Sequence, residues 1–381
     1  MRVLTSDLET GGIGVINILT NKIVFELSRQ LRFKKTHSLE SLGKKLYVQK
    51  FCYFERDGGH YLIAGRKGLT IQIFDVDDNF KLISTKQLMT NIDLGDFFVT
   101  MEVMNGEFRA CTGLGYCYFL RLTALMSSCF NDFSMSFGLH GSVSFMKFLP
   151  QSQSSLVIIG GKDREIAIID VDSHLTIWKS KTSKKIDKLY QQYMTKEPLW
   201  VQDVVITKET DSEVKFIAAT RFGKLLFFNT QVSRFPIDEI EISENPIKHL
   251  RLLNDTLFIA DSFDNVILFD YENQTIMNKF HMKTGALSSL DFIQMDQHQQ
   301  EEELSRRSES RNQGFLVYSS SHADRCLRLY KIEDGYKSLV HGIRFSNGPS
   351  TEICVIEKNI IPDVLKESQS QIVNQNKRMR L

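Results

Sequence analysis

The sequence predicts an all-β fold made of seven repeated four-stranded antiparallel sheets. Three observations lead there. A strand–turn–strand unit returns seven times, each copy an apolar run, a short turn rich in Gly or Asp, and a second apolar run ending in a polar residue. A further strand can be read ahead of most of these pairs, and the spacing leaves room for a fourth. One such unit cannot bury its own apolar face, whereas stacked copies share a continuous core. Four strands per unit, labelled a to d, repeated seven times give a seven-bladed β-propeller.

The b–c pairs are clearest in SSLVIIGGKDREIAIID (Ser154–Asp170), TLFIADSFDNVILFD (Thr256–Asp270) and FLVYSSSHADRCLRLYK (Phe315–Lys331). Weaker copies are MRVLTSDLETGGIGVIN (Met1–Asn17), HYLIAGRKGLTIQIFD (His60–Asp75), EFRACTGLGYCYFLRL (Glu107–Leu122) and VKFIAATRFGKLLFFN (Val214–Asn229). Candidate a strands are Leu46–Phe54, Asp96–Val103, Val143–Leu149, Val201–Thr207, Lys248–Leu253 and Leu287–Ile293. The b–c turns fall at Gly12, Gly68, Gly115, Asp163, Gly223, Asp264 and Asp324, 41 to 60 residues apart. The shortest interval fits a WD40 blade of about 40–45 residues, and the longer ones need loop insertions. The chain starts directly in a b-type strand. Thr351–Lys358 is therefore expected to complete the first blade, closing the ring by pairing chain end with chain start and removing open sheet edges. The propeller is expected over residues 1–360. Residues 294–314, polar and biased, read as a mobile loop inside the last blade with a short helix at Gln299–Arg307, and residues 361–381 as a polar, partly basic tail.

Composition excludes several classes. With 42% hydrophobic and 24% charged residues, 27 Phe and 6 Pro, the chain has material for a large core. Its 47 Lys+Arg balance 46 Asp+Glu, so any basic surface is local. No apolar run is long enough to span a bilayer, and Met1–Thr10 lacks the apolar stretch of a signal peptide, which suggests an intracellular protein without a membrane partner. The six Cys are scattered, mostly inside apolar strands, and read as core thiols; no pair has zinc-site spacing.

Enzymatic signatures are missing: there is no H-E-x-x-H, G-x-S-x-G or G-x-x-x-x-G-K-[ST]. The G-x-G pairs at Gly12/Gly14 and Gly113/Gly115 lie between strands and read as tight turns. No catalytic residue, metal, cofactor or small-molecule substrate is expected. GLHGSVSFMKFLP (Gly138–Pro150) resembles the opening of a WD40 repeat, and that resemblance implies a turn-fixing hydrogen-bond network to which His140 and Asp163 would supply two members, with Gly160 or Gly161 in place of its hydroxyl; Asp264 and Asp324 take the same turn position as Asp163 in the sixth and seventh units. Two basic stretches stand out, Arg29–Lys45 and Lys179–Lys188, the latter with Lys181, Lys184 and Lys185. Clustered cations of this kind contact phosphate when they are more than solvated loop charge, but neither stretch interleaves base-stacking aromatics.

Four strings carry a family resemblance. GGKDREIAIIDVDSHLTIWKSK (Gly160–Lys181), EPLWVQDVVI (Glu197–Ile206), TRFGKLLFFNTQVSRFPI (Thr220–Ile237) and SHADRCLRLY (Ser321–Tyr330) are similar, in order and spacing, to segments of the Nop-seven-associated family of WD40-repeat ribosome-assembly factors. Matching positions include Lys162, Trp178, Lys181, Trp200, Asp203, Thr220, Arg234, Asp324, Arg325 and Arg328. The linker between the first two strings departs from the family pattern, and the Lys-rich tail is reduced to Lys377–Arg380. The resemblance implies a non-enzymatic scaffold in the nucleolus or nucleus. It would dock on precursors of the large ribosomal subunit through ribosomal RNA and neighbouring assembly factors, and be released by an AAA-type ATPase. The contact surface expected on that basis comprises Lys162, Trp178, Lys181, Lys184, Lys185, Trp200, Arg221, Arg234, Arg325 and Arg328. Packing of at least one of Trp178 and Trp200 in the core is the competing reading for that pair, and turn bonding for the two arginines of the last unit. Two other functions remain open at this point: a WD40 adaptor of another pathway, such as a ubiquitin-ligase substrate receptor, and a propeller hydrolase with a triad assembled across blades.

Overall fold

A computed structural model describes residues 2–7, 13–17, 22–26, 47–78, 80–88, 95–127, 137–139, 142–149, 156–181, 199–210, 212–253, 256–263, 265–282, 287–294, 315–321, 326–333, 336–344 and 350–356. Apart from one short helix, its elements are strands, and these form seven four-stranded antiparallel sheets among the described residues. They divide into two compact units, Met1–Tyr53 with Phe280–Leu381, and Phe54–Lys279; the divisions fall inside the strands Val48–Arg56 and Thr275–His281.

In the first unit, one sheet has the order Ser350–Ile356, Arg2–Asp7, Ile13–Asn17, Lys22–Glu26. Leu4 lies opposite Cys354 on one side and Val15 on the other. The strand expected at Thr351–Lys358 thus pairs beside the first strand of the chain, starting one residue earlier. Gly14, read as part of a tight turn, sits inside a strand opposite Thr5. The other sheet of this unit runs Leu287–Gln294, Phe315–Ser321, Cys326–Glu333, Tyr336–Arg344, with its first strand against Ser350–Ile356. The segment 295–314, its expected helix, and the tail 361–381 lie outside the described residues.

The second unit holds the third to sixth sheets and most of the second. The second contains Gly59–Arg66, Thr70–Asp75 and Lys81–Gln87. The third runs Phe98–Met104, Glu107–Thr112, Tyr116–Arg121, then Phe137–Gly138 as a two-residue outer strand. The fourth is Phe145–Phe148, Leu156–Gly161, Arg164–Asp170, Thr176–Lys179. The fifth is Val201–Glu209, Val214–Thr220, Lys224–Asn229, Asp238–Glu241. The sixth is Ile247–Leu253, Thr256–Asp261, Asn265–Asp270, Thr275–His281.

The pattern of side chains explains this stacking. Strands b and c are continuous apolar runs because a neighbouring sheet covers each of their faces. Ile158, Ile166 and Ile168 of the fourth sheet pack with Val204, Phe216, Ala218 and Phe228 of the fifth. On their other side Val157, Ile159, Ala167 and Ile169 meet Cys111 and Cys117 of the third. Ile217, Ala219 and Leu225 of the fifth meet Leu250, Ile259 and Ile267 of the sixth. Each fully buried side chain of this kind contributes roughly 1.5–3 kcal/mol. The d strands, by contrast, are largely exposed.

A helix at Leu122–Met126 interrupts the strand pattern. Its residues are mostly good helix formers, and Leu122 and Leu125, three apart, are buried on one face. The second sheet holds it in place: Ser84 Oγ donates to Leu125 O at 3.1 Å and Lys86 Nζ to Ser127 O at 2.5 Å.

A candidate docking surface at the b–c turns

The b–c turns are fixed from two sides. In the third, fifth and sixth sheets, a polar side chain at the end of strand b accepts exposed amides of the turn. Thr112 Oγ1 takes Tyr116 N–H, and Thr220 Oγ1 takes Phe222 and Lys224 N–H. Asp261 Oδ1 takes Phe263 N–H at 2.9 Å and Asn265 N–H at 3.0 Å, while its Oδ2 accepts from Ser243 and Asn245. Asp261 thus fixes this turn from the end of strand b; Asp264, Asp324 and His140, for which turn-fixing roles are expected, lie outside the described residues. Asp163, in the fourth sheet, makes no side-chain bond to its turn among the described residues. It stands exposed at φ +53° and contributes its backbone N–H to Leu199 O at 2.7 Å.

Backbone bonds also tie these turns to the entries of a strands, in the next sheet or in their own. Val143 N–H reaches Gly113 O, Ser144 N–H reaches Gly160 O, Asp163 N–H reaches Leu199 O, Arg221 N–H reaches Trp200 O, and Ser262 N–H reaches Pro246 O. Each turn is thereby tied to a segment that enters an a strand. The approach needs glycine: a Cβ on Gly161 would lie 2.3 Å from Ser142 O, and on Gly223, at φ +74°, 1.6 Å from Ser243 O.

This register brings three predicted residues together. Lys162 and Trp200 form an isolated antiparallel bridge, and Lys162 Nζ stands 4.9 Å from the Trp200 ring centroid. The Arg221 guanidinium lies 4.2 Å from the same centroid. Both cations are exposed, and neither has a carboxylate at salt-bridge distance among the described residues. Burial and the charge of Arg221 lower the pKa of Lys248, on the neighbouring a strand, so positive charge is concentrated here. Large apolar side chains flank it, with Phe97 48%, Leu114 44%, Phe222 41% and Phe263 69% exposed. Two of these, Leu114 and Phe222, sit in b–c turns directly, Phe263 follows the b strand of the sixth sheet, and Phe97 lies over Gly113.

The remaining predicted residues divide. Trp178 is partly buried and packs against the core, its ring making edge contacts with Phe216 at 5.7 Å and Phe228 at 6.0 Å. Lys181 and Arg234 meet at a second place, where Lys181 N–H donates to Arg234 O at 2.7 Å and Arg234 Nε to Lys179 O at 2.6 Å, leaving two exposed basic side chains side by side. Arg328 is half-buried in a strand opposite Ser319 and Gly342. Lys184, Lys185 and Arg325 lie outside the described residues.

Beneath the turns, Asp203 joins three sheets. It accepts Leu250 N–H at 2.9 Å and pairs with Lys147 Nζ at 3.1 Å. Burial pushes its carboxyl up, but Lys147, Arg251 and the Leu250 amide outweigh this and hold it below the usual aspartate range. Among the described residues no three of His, Cys, Asp and Glu gather as metal ligands, and no helix is long and apolar enough to cross a membrane.

Stacked four-stranded antiparallel sheets with turns tied in this way define a β-propeller of the WD40 type, and solved structures agree. The chain matches the WD40 β-propeller domain of Doa1 with a TM-score of 0.54 and 13% identity, covering 80% of this chain and 84% of that one. It matches the β-propeller domain of Myceliophteria thermophila Cps50 (Swd1) with a TM-score of 0.56 and 13% identity, covering 79% and 88%. No family model matches. Among characterised proteins, the chain is similar to the ribosome biogenesis protein nsa1 of Schizosaccharomyces pombe, 22% identical over 302 residues, which are 68% of this chain and 75% of that protein.

Proposed function

We propose that this chain is a non-enzymatic scaffold of ribosome biogenesis. It acts on precursors of the large subunit in the nucleolus, docks through ribosomal RNA and neighbouring assembly factors, and is released by an AAA-type ATPase. The likeness to a ribosome biogenesis protein supports the pathway. One structural observation carries the docking role: the strings at Gly160–Lys181, Glu197–Ile206 and Thr220–Ile237, separate in sequence, each contribute one residue to the Lys162–Trp200–Arg221 cluster. The first and third strings also meet at Lys181 and Arg234. That second cluster opens the basic stretch through Lys184 and Lys185. RNA phosphates are assigned to it, because adjacent flexible cations displace counterions without requiring a shaped pocket.

The test is sedimentation of the tagged protein with large-subunit precursors. Association is expected to weaken with RNase or high salt, and to fall severalfold in the Lys184→Glu, Lys185→Glu double variant with an unchanged melting temperature. Recovery of the wild-type protein only in ribosome-free fractions removes the reading, and unchanged association of the double variant makes that stretch inert.

A further inference from the structure

The b–c turns of the third to sixth sheets present more than charge. In the order set by the backbone bonds between them, they display Phe97 and Leu114, then Lys162, Trp200 and Arg221, then Phe222, Lys248 and Phe263. Four large apolar side chains, each more than two-fifths exposed, thus bracket a cationic centre. A soluble surface rarely keeps such a run uncovered, and apolar side chains rimmed by charge mark interaction sites.

The chemistry of the centre selects the occupant. Arg221 lies against an aromatic ring, which holds its plane and leaves the outer guanidinium edge for a bidentate acceptor such as a carboxylate. Lys162, against the same ring, adds a second donor. Among the described residues, Lys162, Arg221 and Lys248 are set against exposed Asp163 and Glu244, so the charge is nearly balanced. A nucleic acid strand brings a phosphate with every nucleotide and would press several of them on those carboxylates and on Leu114. A single carboxylate has its partners in Arg221 and Lys162, and its apolar neighbours have theirs in the flanking side chains.

We propose that these turns form a receptor for an extended segment of a protein partner that carries a carboxylate between apolar side chains. The carboxylate sits on Arg221 and Lys162 beside Trp200. The apolar side chains cover Phe222 and Phe263 on one side and Leu114 and Phe97 on the other. The assignment concerns a different surface from the Lys181–Arg234 cluster and does not require the RNA contact proposed there.

The experiment uses the purified full chain and fluorescent 15-residue peptides with a central Asp or Glu flanked by Leu, Ile and Phe, beside Asn-centred and Lys-centred versions, read by anisotropy. A 20-nucleotide oligouridylate is measured in parallel. Acid-centred peptides are expected to bind at least tenfold more tightly than Asn-centred ones, and Lys-centred ones to show no binding. Arg221→Glu is expected to weaken acid-centred binding tenfold or more and Phe263→Ser severalfold, with melting temperatures unchanged because both side chains are exposed. Lys181→Glu, in the other cluster, leaves peptide affinity unaltered. The proposal is overturned when no acid-centred peptide binds, or when Arg221→Glu and Phe263→Ser bind them as wild type does. It is also overturned when oligouridylate binds and loses its affinity in those same two variants, which makes the face an RNA surface. Loss of particle association in the Lys184/Lys185 variant bears on the scaffold reading and leaves these measurements intact.

Discussion

Single side chains here do two kinds of work, and Glu102 separates them. It lies on the a strand of the third sheet; burial pushes its carboxyl up to about 7, with Arg109 and Lys147 pulling it back in part. Its Oε1 has no hydrogen-bond partner among the described residues. The folded state therefore holds a proton that the unfolded chain, with an ordinary value of 4.5, has already released. Between these two values stability falls as pH rises, and above the upper one the deficit is complete, at most about 3 kcal/mol. Glu102→Gln is expected to raise the melting temperature above pH 8, with the gain shrinking toward pH 5. A gain that does not vary with pH in thermal scans would assign the effect to packing instead. Asp203 has the opposite sign: its carboxyl is held low, so its contribution is present above the ordinary value of 3.8 and fades only in acid. The sequence singled out Lys162, Trp200, Arg221 and Asp203 one by one. That three of them converge on one ring depends on pairing the turn of one sheet with the entry of the next, a long-range register that periodicity does not contain. Phe97, Leu114, Phe222 and Phe263 escaped notice because an apolar residue beside a turn reads as the end of a strand.

At the scale of elements, the b and c strands were legible because both faces are covered, which makes their apolar runs continuous and bounded by turn residues. The a strands were placed within a few residues of their ends. The helix at Leu122–Met126 was not seen, since five residues carry no helical period and its first turn continues an apolar run. Phe137–Gly138 is too short to announce itself. In the sixth sheet Asp261, which precedes the turn and engages both Oδ atoms, went unremarked. The turns also make a quantitative prediction. Gly68 and Gly223 share nearly the same left-handed backbone, at φ +79° and +74°, but a Cβ on Gly68 meets open space whereas one on Gly223 meets Ser243 O. Gly68→Ala is expected to cost about 1 kcal/mol from backbone strain alone, and Gly223→Ala at least about 2 kcal/mol more because the next segment must move. Urea unfolding of the two variants checks this, and equal costs would show that the Ser243 segment yields freely.

For the molecule as a whole, the pairing of Ser350–Ile356 with Arg2–Asp7 joins residues more than 340 positions apart in the chain. Arg2–Asp7 has Ile13–Asn17 on its other side, so the late strand is what keeps its second edge from being bare. Ile353 is 5% exposed, which shows that the late strand also contributes to a core and is more than an edge cover. A strand edge left open offers unpaired N–H and C=O groups to any other chain, and the long loop that this pairing closes makes it slow to form but strongly cooperative once formed. Truncation after Gly348 removes the strand, whereas truncation after Ile356 keeps it. The first is expected to lower the melting temperature by several degrees and to shift the protein to aggregates on size exclusion, and the second to behave as the full chain does in both measurements. Ile353→Lys keeps the strand's backbone pairing while placing a charge in the buried position, and is expected to reproduce the loss of stability. If both truncations melt alike and remain monomeric, the terminal pairing is dispensable and the first sheet is held by its other three strands.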